Sequence, residues 1–152
     1  MRNKIDAVLG KTLVLIMSVM VINVLWQVFT RYVTGNPSSF TDELARYLMI
    51  WIGVLGAAYV SGRNLHVAID ILPLRQNEKT QKKLKIIVTI LVILFVLFAF
   101  VIGGSRLVYI SYVLGQQSPA LQVPLALVYI IIPISGLLIM YYKISDLKNM
   151  KS

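Results

Sequence analysis

Few side chains in this sequence can move a proton, hold a metal or attack a bond. There are six acidic residues, one histidine and no cysteine. Disulfides, thiol nucleophiles and cysteine-ligated metals are thereby excluded. The histidine stands four residues before an acid, as His66 and Asp70. That spacing puts both on one face of a helix and would suit a proton relay or part of a metal site. No third ligand, Ser/His/Asp set or glycine-rich phosphate loop accompanies them. The neighbours Val67, Ile69, Ile71 and Leu72 instead describe a short helix lying in a membrane interface and ending near Pro73. The pair is read as structural, and no enzyme activity is expected.

The other concentrated charge is in SFTDELARYLMIW, residues 39–51. Asp42, Glu43 and Arg46 share a helix face there. Ser39 or Thr41 is expected to cap the helix, and the acids complement its positive end. Each ion pair of this kind contributes only about 0.2–0.5 kcal/mol in water. Arg46 falls roughly a turn inside an apolar segment. At a bilayer centre an arginine costs about 2.5–3.5 kcal/mol, and less near the interface, so Arg46 is expected to face protein or water. Trp51, a turn or so deeper, marks an interface or a helix contact. Gly53, Ala57 and Ser61 follow four apart, beside Gly56 and Ala58, a face suited to close helix packing. Upstream, Asn23, Gln27 and Arg31 recur every four residues. Amide side chains in hydrocarbon seek partners, either within this chain or on another subunit.

These residues must be positioned by membrane helices. The chain has 152 residues, 58% of them hydrophobic and 14% charged, too apolar for a soluble domain of that length. Four apolar runs near the 20 or so residues that a span needs are expected at 12–30, 44–62, 86–108 and 125–142. Together they make one all-α, four-helix membrane domain over residues 1–152. The third helix can run on through Arg106 to Leu114. Pro133 and Gly136 permit a kink in the fourth. The opening MRNK resembles a secretory leader, but 19 uncharged residues follow Lys11 and no small-x-small site comes after them. The first run is therefore read as a retained helix.

Charge orients the spans. Of 15 basic residues, only Arg31, Arg46 and Arg106 lie on one side. The N-terminal end, the loop between spans two and three, and the C-terminal end carry the rest. By the positive-inside rule both termini and that loop are cytoplasmic. The net charge of +9 then needs no nucleic acid to explain it. Lys79, Lys82, Lys83 and Lys85 form a basic cluster expected to rest on anionic membrane lipid. The loop GQQSPALQVP, residues 115–124, lies on the outer side. Spans one to three hold no acid near their middles, and the two halves are not repeats, unlike ion-coupled carriers. The residues describe a four-span accessory subunit.

Several features in this order resemble a known family. They are Arg31-Tyr32, Asp42-Glu43-Leu-Ala-Arg46-Tyr47, Trp51, Gly56-Ala-Ala58, His66-Val-x-x-Asp70, and Ser118-Pro-Ala-Leu121 with Pro124. Together they resemble the small membrane subunit (Q, DctQ-like) of TRAP, or tripartite ATP-independent periplasmic, transporters. The resemblance implies a bacterial inner-membrane protein in a sodium-coupled importer of an organic acid such as sialic acid or a C4-dicarboxylate. It implies a large membrane subunit holding the substrate and sodium sites, and a periplasmic binding protein that delivers the substrate. The small subunit would brace the large one and carry no cofactor. Asn23, Gln27, Arg31, Asp42, Glu43, Arg46, Trp51, Gly53 and Ala57 are then the expected contact residues toward these partners. A small homodimeric four-helix exporter and a non-transport membrane adaptor are the alternatives. The exporter would need a membrane-embedded carboxylate in an early helix, which span one lacks.

Overall fold

The computed structural model describes residues 2–33, 35, 38–63 and 78–151. Its regular elements are helices: α1 (Arg2–Val33), α2 (Ser39–Gly62), α3 (Glu78–Phe95), a π-helical segment (Val96–Gly103), α4 (Gly104–Val113), α5 (Leu125–Tyr129) and α6 (Ile131–Lys151). Four runs are long and apolar enough to cross a bilayer: Arg2–Val33, Ser39–Gly62, Thr80–Val113 and Leu125–Lys148. The all-α, four-span architecture read from the sequence is the observed one.

Helix bounds differ from the apolar runs for physical reasons. At 1.5 Å per residue, the 32 residues of α1 extend about 48 Å, against a hydrocarbon core of about 30 Å. Its polar first turns therefore stand outside the core. α2 starts at Ser39, ahead of the Leu44 that opens its apolar run, because its first turn is polar. The expected cap is corrected. Ser38 is the N-cap, with no side-chain cap bond, and Thr41 Oγ1 donates to the Ser38 carbonyl at 2.9 Å. The third rod continues through the exposed Arg106 to Val113. The fourth parts at Ile130, between α5 and α6. Pro133 has no N–H to offer the Tyr129 carbonyl, and its ring crowds that position. The break thus falls one turn before the proline, and Gly136 serves packing instead of bending.

The π segment has no counterpart in the sequence reading. Windings of this kind are rare and usually a single turn. This one lies where the third rod crosses α6. A Cβ added at Gly136 would sit 2.8 Å from Phe100 Cβ and 3.1 Å from Val101 Cγ2. One added at Gly104 would sit 2.9 Å from Ile132 Cγ2 and 3.1 Å from Pro133 Cδ. Two glycines, one on each rod, permit the close approach.

The helices pack as a row: α1 on α2, α2 on α6, and α6 on the π segment and α3. One apolar cluster joins Leu9 and Ile16 of α1, Leu55 of α2, and Ile131 and Tyr142 of α6. A second joins Ala58, Val96 and Ile139. Much of α1 and of the third rod stays open, including Ile22, Trp26, Phe95 and Phe98.

Candidate functional site

The polar residues gather at the two ends of the bundle. At the end away from the chain termini, α1 runs out at Val33 and α2 begins at Ser39, with Gly35 in the turn at φ +71°. Only glycine adopts that left-handed conformation without strain. The first turn of α2 therefore lies beside the last turns of α1. The buried Asn23 donates through Nδ2 to the Thr41 carbonyl at 2.7 Å. Gln27 reaches Asp42 Oδ1 at 3.4 Å. Asn23 and Gln27 thus bond within the chain. Arg31, on the same stripe, is exposed.

The three charges of α2 separate in role. Asp42 pairs with Arg46, whose side chain is 73% exposed. Exposed pairs contribute little to stability, so this arginine is held in place but open to a partner. Glu43 turns the other way. Its Oε1 accepts from the Tyr47 hydroxyl at 2.7 Å. Its Oε2 accepts from the backbone N–H groups of Ala120 and Leu121 at 2.8 and 3.0 Å. The carboxylate therefore clamps the loop between α4 and α5.

That loop is closed by its own backbone. Ser118 N–H donates to Val123 O, Gln122 N–H to Ser118 O, and Leu125 N–H to Gln116 O, each at 3.0 Å. Ser118 is buried, and Gln122 takes φ +53°. Below the clamp, Trp51 Nε1 donates to Val128 O at 3.1 Å, tying α2 to the end of α5. Charge-assisted acceptance by Glu43 and one indole bond thus fix the loop to α2. Neither tie was visible in the sequence, where residues 43 and 120 are far apart. The SPAL stretch was the one available signal.

The small face of α2 is also redistributed. Ala58, Ser61 and Gly62 are buried, and a Cβ on Gly62 would sit 2.8 Å from the Tyr142 ring. Ala57 packs on the second apolar cluster. Gly53 and Gly56 meet nothing within 4 Å. The expected single face of Gly53, Ala57 and Ser61 is corrected: its inner end is occupied by α6, and Gly53 is open. The reason is that α2 leans on α6 more closely at one end.

At the end bearing the termini, Arg2 donates to the Gly62 carbonyl and pairs with Asp146 Oδ1 at 2.7 Å. The Tyr142 hydroxyl donates to Asp6. One knot therefore joins α1, α2 and α6. Lys82, Lys83 and Lys85 are exposed on α3. His66, Asp70 and the interfacial helix expected around them lie outside the described residues, as does the side chain of Lys79.

Over residues 20–150 the sequence matches the family described as tripartite ATP-independent periplasmic transporters, DctQ component. A putative TRAP transporter small permease protein of Haemophilus influenzae is 30% identical over 124 residues, 82% of this chain and 75% of that protein. The sialic acid TRAP transporter permease protein SiaT of Haemophilus influenzae is 32% identical over 68% of this chain and 16% of its own length. The ectoine TRAP transporter small permease protein TeaB of Halomonas elongata is 26% identical over 99% of this chain and 76% of that protein.

Proposed function

Because the chain belongs to the DctQ component family of tripartite ATP-independent periplasmic transporters, we propose that it braces a large permease subunit and helps seat a periplasmic binding protein. It is a multi-pass protein of the bacterial inner membrane. The family match over residues 20–150 carries the reading. The alignment to SiaT supports a large partner, since 84% of that permease lies beyond the matched part. This chain is proposed to associate with a permease portion of that kind. Both termini face the cytoplasm in this reading, which agrees with the distribution of lysine and arginine.

The open small face at Gly53 and Gly56, with the bare flanks of α1, is where helices of the large subunit would pack. Helices associate in lipid through close backbone approach, and glycines with nothing against them leave room for it. On the periplasmic side, the exposed Arg46 and the half-buried Asp42 stand beside the loop that Glu43 clamps. A charged, fixed surface suits electrostatic steering of a soluble partner. Glu43 serves by holding the loop, not by touching the partner. The transported substrate is an organic acid or similar solute. Relatives are named for sialic acid and ectoine, which agrees with substrate choice residing in another chain. Sodium coupling belongs to the large subunit in the same reading.

The test is recovery from native membranes in mild detergent through a C-terminal tag, with mass spectrometry of what co-purifies. A large carrier in equimolar amount is expected. Recovery of the chain alone, or as a homodimer, would overturn the reading in favour of an adaptor or small exporter. In reconstituted vesicles, Arg46→Ala is expected to lower transport driven by the binding protein without lowering recovery of the large subunit. Unchanged transport would remove Arg46 from the docking surface.

A further inference from the structure

A groove of about 740 Å³ runs between α1 and the C-terminal end of α2, at the membrane surface shared by the two chain termini. It is remote from the loop that Glu43 holds. Its mouth carries two cations, Lys11 and Arg63, both exposed. Among the described residues neither forms an ion pair. Arg63 lies over the Tyr59 ring, 5.0 Å from its centroid. That contact holds the guanidinium at the rim and, among the described residues, leaves its donors open to an anion.

The groove changes character with depth. Lys11 immediately precedes the uncharged run of α1, so it stands at headgroup level. Below it the wall is Leu13, Val14 and Leu15, with Val14 and Leu15 67% and 65% exposed. Ser18 closes the lower end, and its hydroxyl is spent on the Val14 carbonyl at 2.8 Å. The deep part therefore presents no unmet donor to hydrocarbon. Gly10 lies against the Tyr59 ring, where an added Cβ would sit 3.5 Å away, an ordinary van der Waals contact. The one acid among the described residues of the wall, Asp6, accepts a hydrogen bond from Tyr142. Among the described residues the wall thus carries two positive charges against one negative.

We propose that this groove binds one anionic phospholipid of the leaflet at the termini, its phosphate between Lys11 and Arg63 and one acyl chain along Val14, Leu15 and Ser18. Charge complementarity at the mouth and an apolar floor at acyl depth select a lipid over a soluble anion. The guanidinium offers two donors to a phosphate, and the ammonium adds a point charge. Placement at an α1–α2 seam means that the lipid would splint the two helices.

The test uses the full chain, purified in mild detergent, delipidated and titrated with phosphatidylglycerol or phosphatidylcholine under native mass spectrometry. The first phosphatidylglycerol is expected to bind about 10- to 30-fold more tightly than the first phosphatidylcholine, the factor that two basic residues supply at an anionic headgroup. Lys11→Gln with Arg63→Gln should abolish that preference. Lys11→Arg with Arg63→Lys should keep it. Lys82→Gln with Lys83→Gln, on exposed α3 positions, should change it less than twofold. Equal binding of the two lipids by the unsubstituted chain would overturn the proposal, whatever the variants do. So would an equal loss in the α3 control, which marks diffuse attraction to basic surface. Circular dichroism of each variant separates lost lipid from lost fold.

Discussion

Gly136→Ala and Gly53→Ala introduce the same methyl group into two membrane helices, with opposite expected outcomes. In a helix interior alanine is favoured over glycine by about 1 kcal/mol. At Gly53 nothing lies within 4 Å, so the isolated chain should gain up to that amount. At Gly136 the new Cβ would sit 2.8 Å from Phe100 Cβ and 3.1 Å from Val101 Cγ2. Carbon atoms prefer about 3.5–4.0 Å, so the nearest contact falls short by about 0.7–1.2 Å. Phe100 Cβ is bonded to backbone and cannot swing aside, so the third rod must move away from α6. Overpacking of this size costs about 1–3 kcal/mol. The propensity gain offsets about 1 kcal/mol of it, leaving a net loss of up to about 2 kcal/mol. Unfolding in mixed micelles of increasing denaturing detergent, followed by circular dichroism, measures both variants. Equal midpoints for the two, or a stabilised Gly136→Ala, would refute close packing at the crossing of the π segment and α6. Gly53→Ala carries a second readout. It should weaken recovery of the large subunit while stabilising the chain alone.

Three further perturbations probe the ties between helices. Glu43→Ala removes the acceptor for the Ala120 and Leu121 amides; hydrogen exchange at those two amides should quicken about tenfold, with Arg46→Ala leaving them unchanged. Trp51→Phe deletes the bond to Val128 O and should lower stability by about 1 kcal/mol, seen as an earlier detergent midpoint without loss of helicity. Arg2→Ala strands the largely buried Asp146 carboxylate; removal of one partner of a buried pair costs about 3–5 kcal/mol, reduced to about 1–3 here because Arg2 is 29% exposed. Thermal unfolding should show Asp146→Asn to be milder than Arg2→Ala, since the neutral amide needs no counter-charge.

How much of this was legible in the sequence depended on the kind of signal. Uncharged runs reported the four spans, because hydrocarbon excludes charge whatever the helices touch. The stripe of Asn23 and Gln27 reported that partners exist, because an amide in an apolar span must find one, but not that they lie within the chain. Packing faces were not legible. Every face of a membrane helix is apolar, so periodicity does not separate a lipid-facing side from a buried one. That is why Gly53, Ala57 and Ser61 read as one face, although Ala57 and Ser61 lie on the packed side and Gly53 is open. Spacing placed Asp42, Glu43 and Arg46 together, yet Glu43 bonds backbone groups 77 and 78 residues away. A single helix carries no record of such a distant partner. The π segment was hidden for a related reason, since it coincides with glycines on two different rods.

The attachment of α1 shows what replaces a hydrophobic core in this setting. In water, burial of Leu9 and Ile16 would hold the helix at about 25 cal/mol per Å² of apolar surface. In lipid that term nearly vanishes, since acyl chains solvate the same side chains. What remains is packing and polar bonds, and the polar bonds of α1 stand near its ends. Arg2 and Asp6 tie the first turns to α2 and α6. Asn23 and Gln27 tie the later turns to the start of α2. Between them, no described residue of α1 makes a polar bond to another helix. A helix pinned at two points keeps its axial register while its long apolar flank stays available to a neighbour. Loss of Asn23, whose bond contributes about 0.6–2 kcal/mol in a membrane, should therefore free the far end and leave the near end seated. A Cys pair bridging α1 and α2 near Thr41 should then crosslink more slowly in Asn23→Leu, with a pair near Gly62 unaffected. Equal slowing at both ends would mean that α1 moves as one unpinned rod.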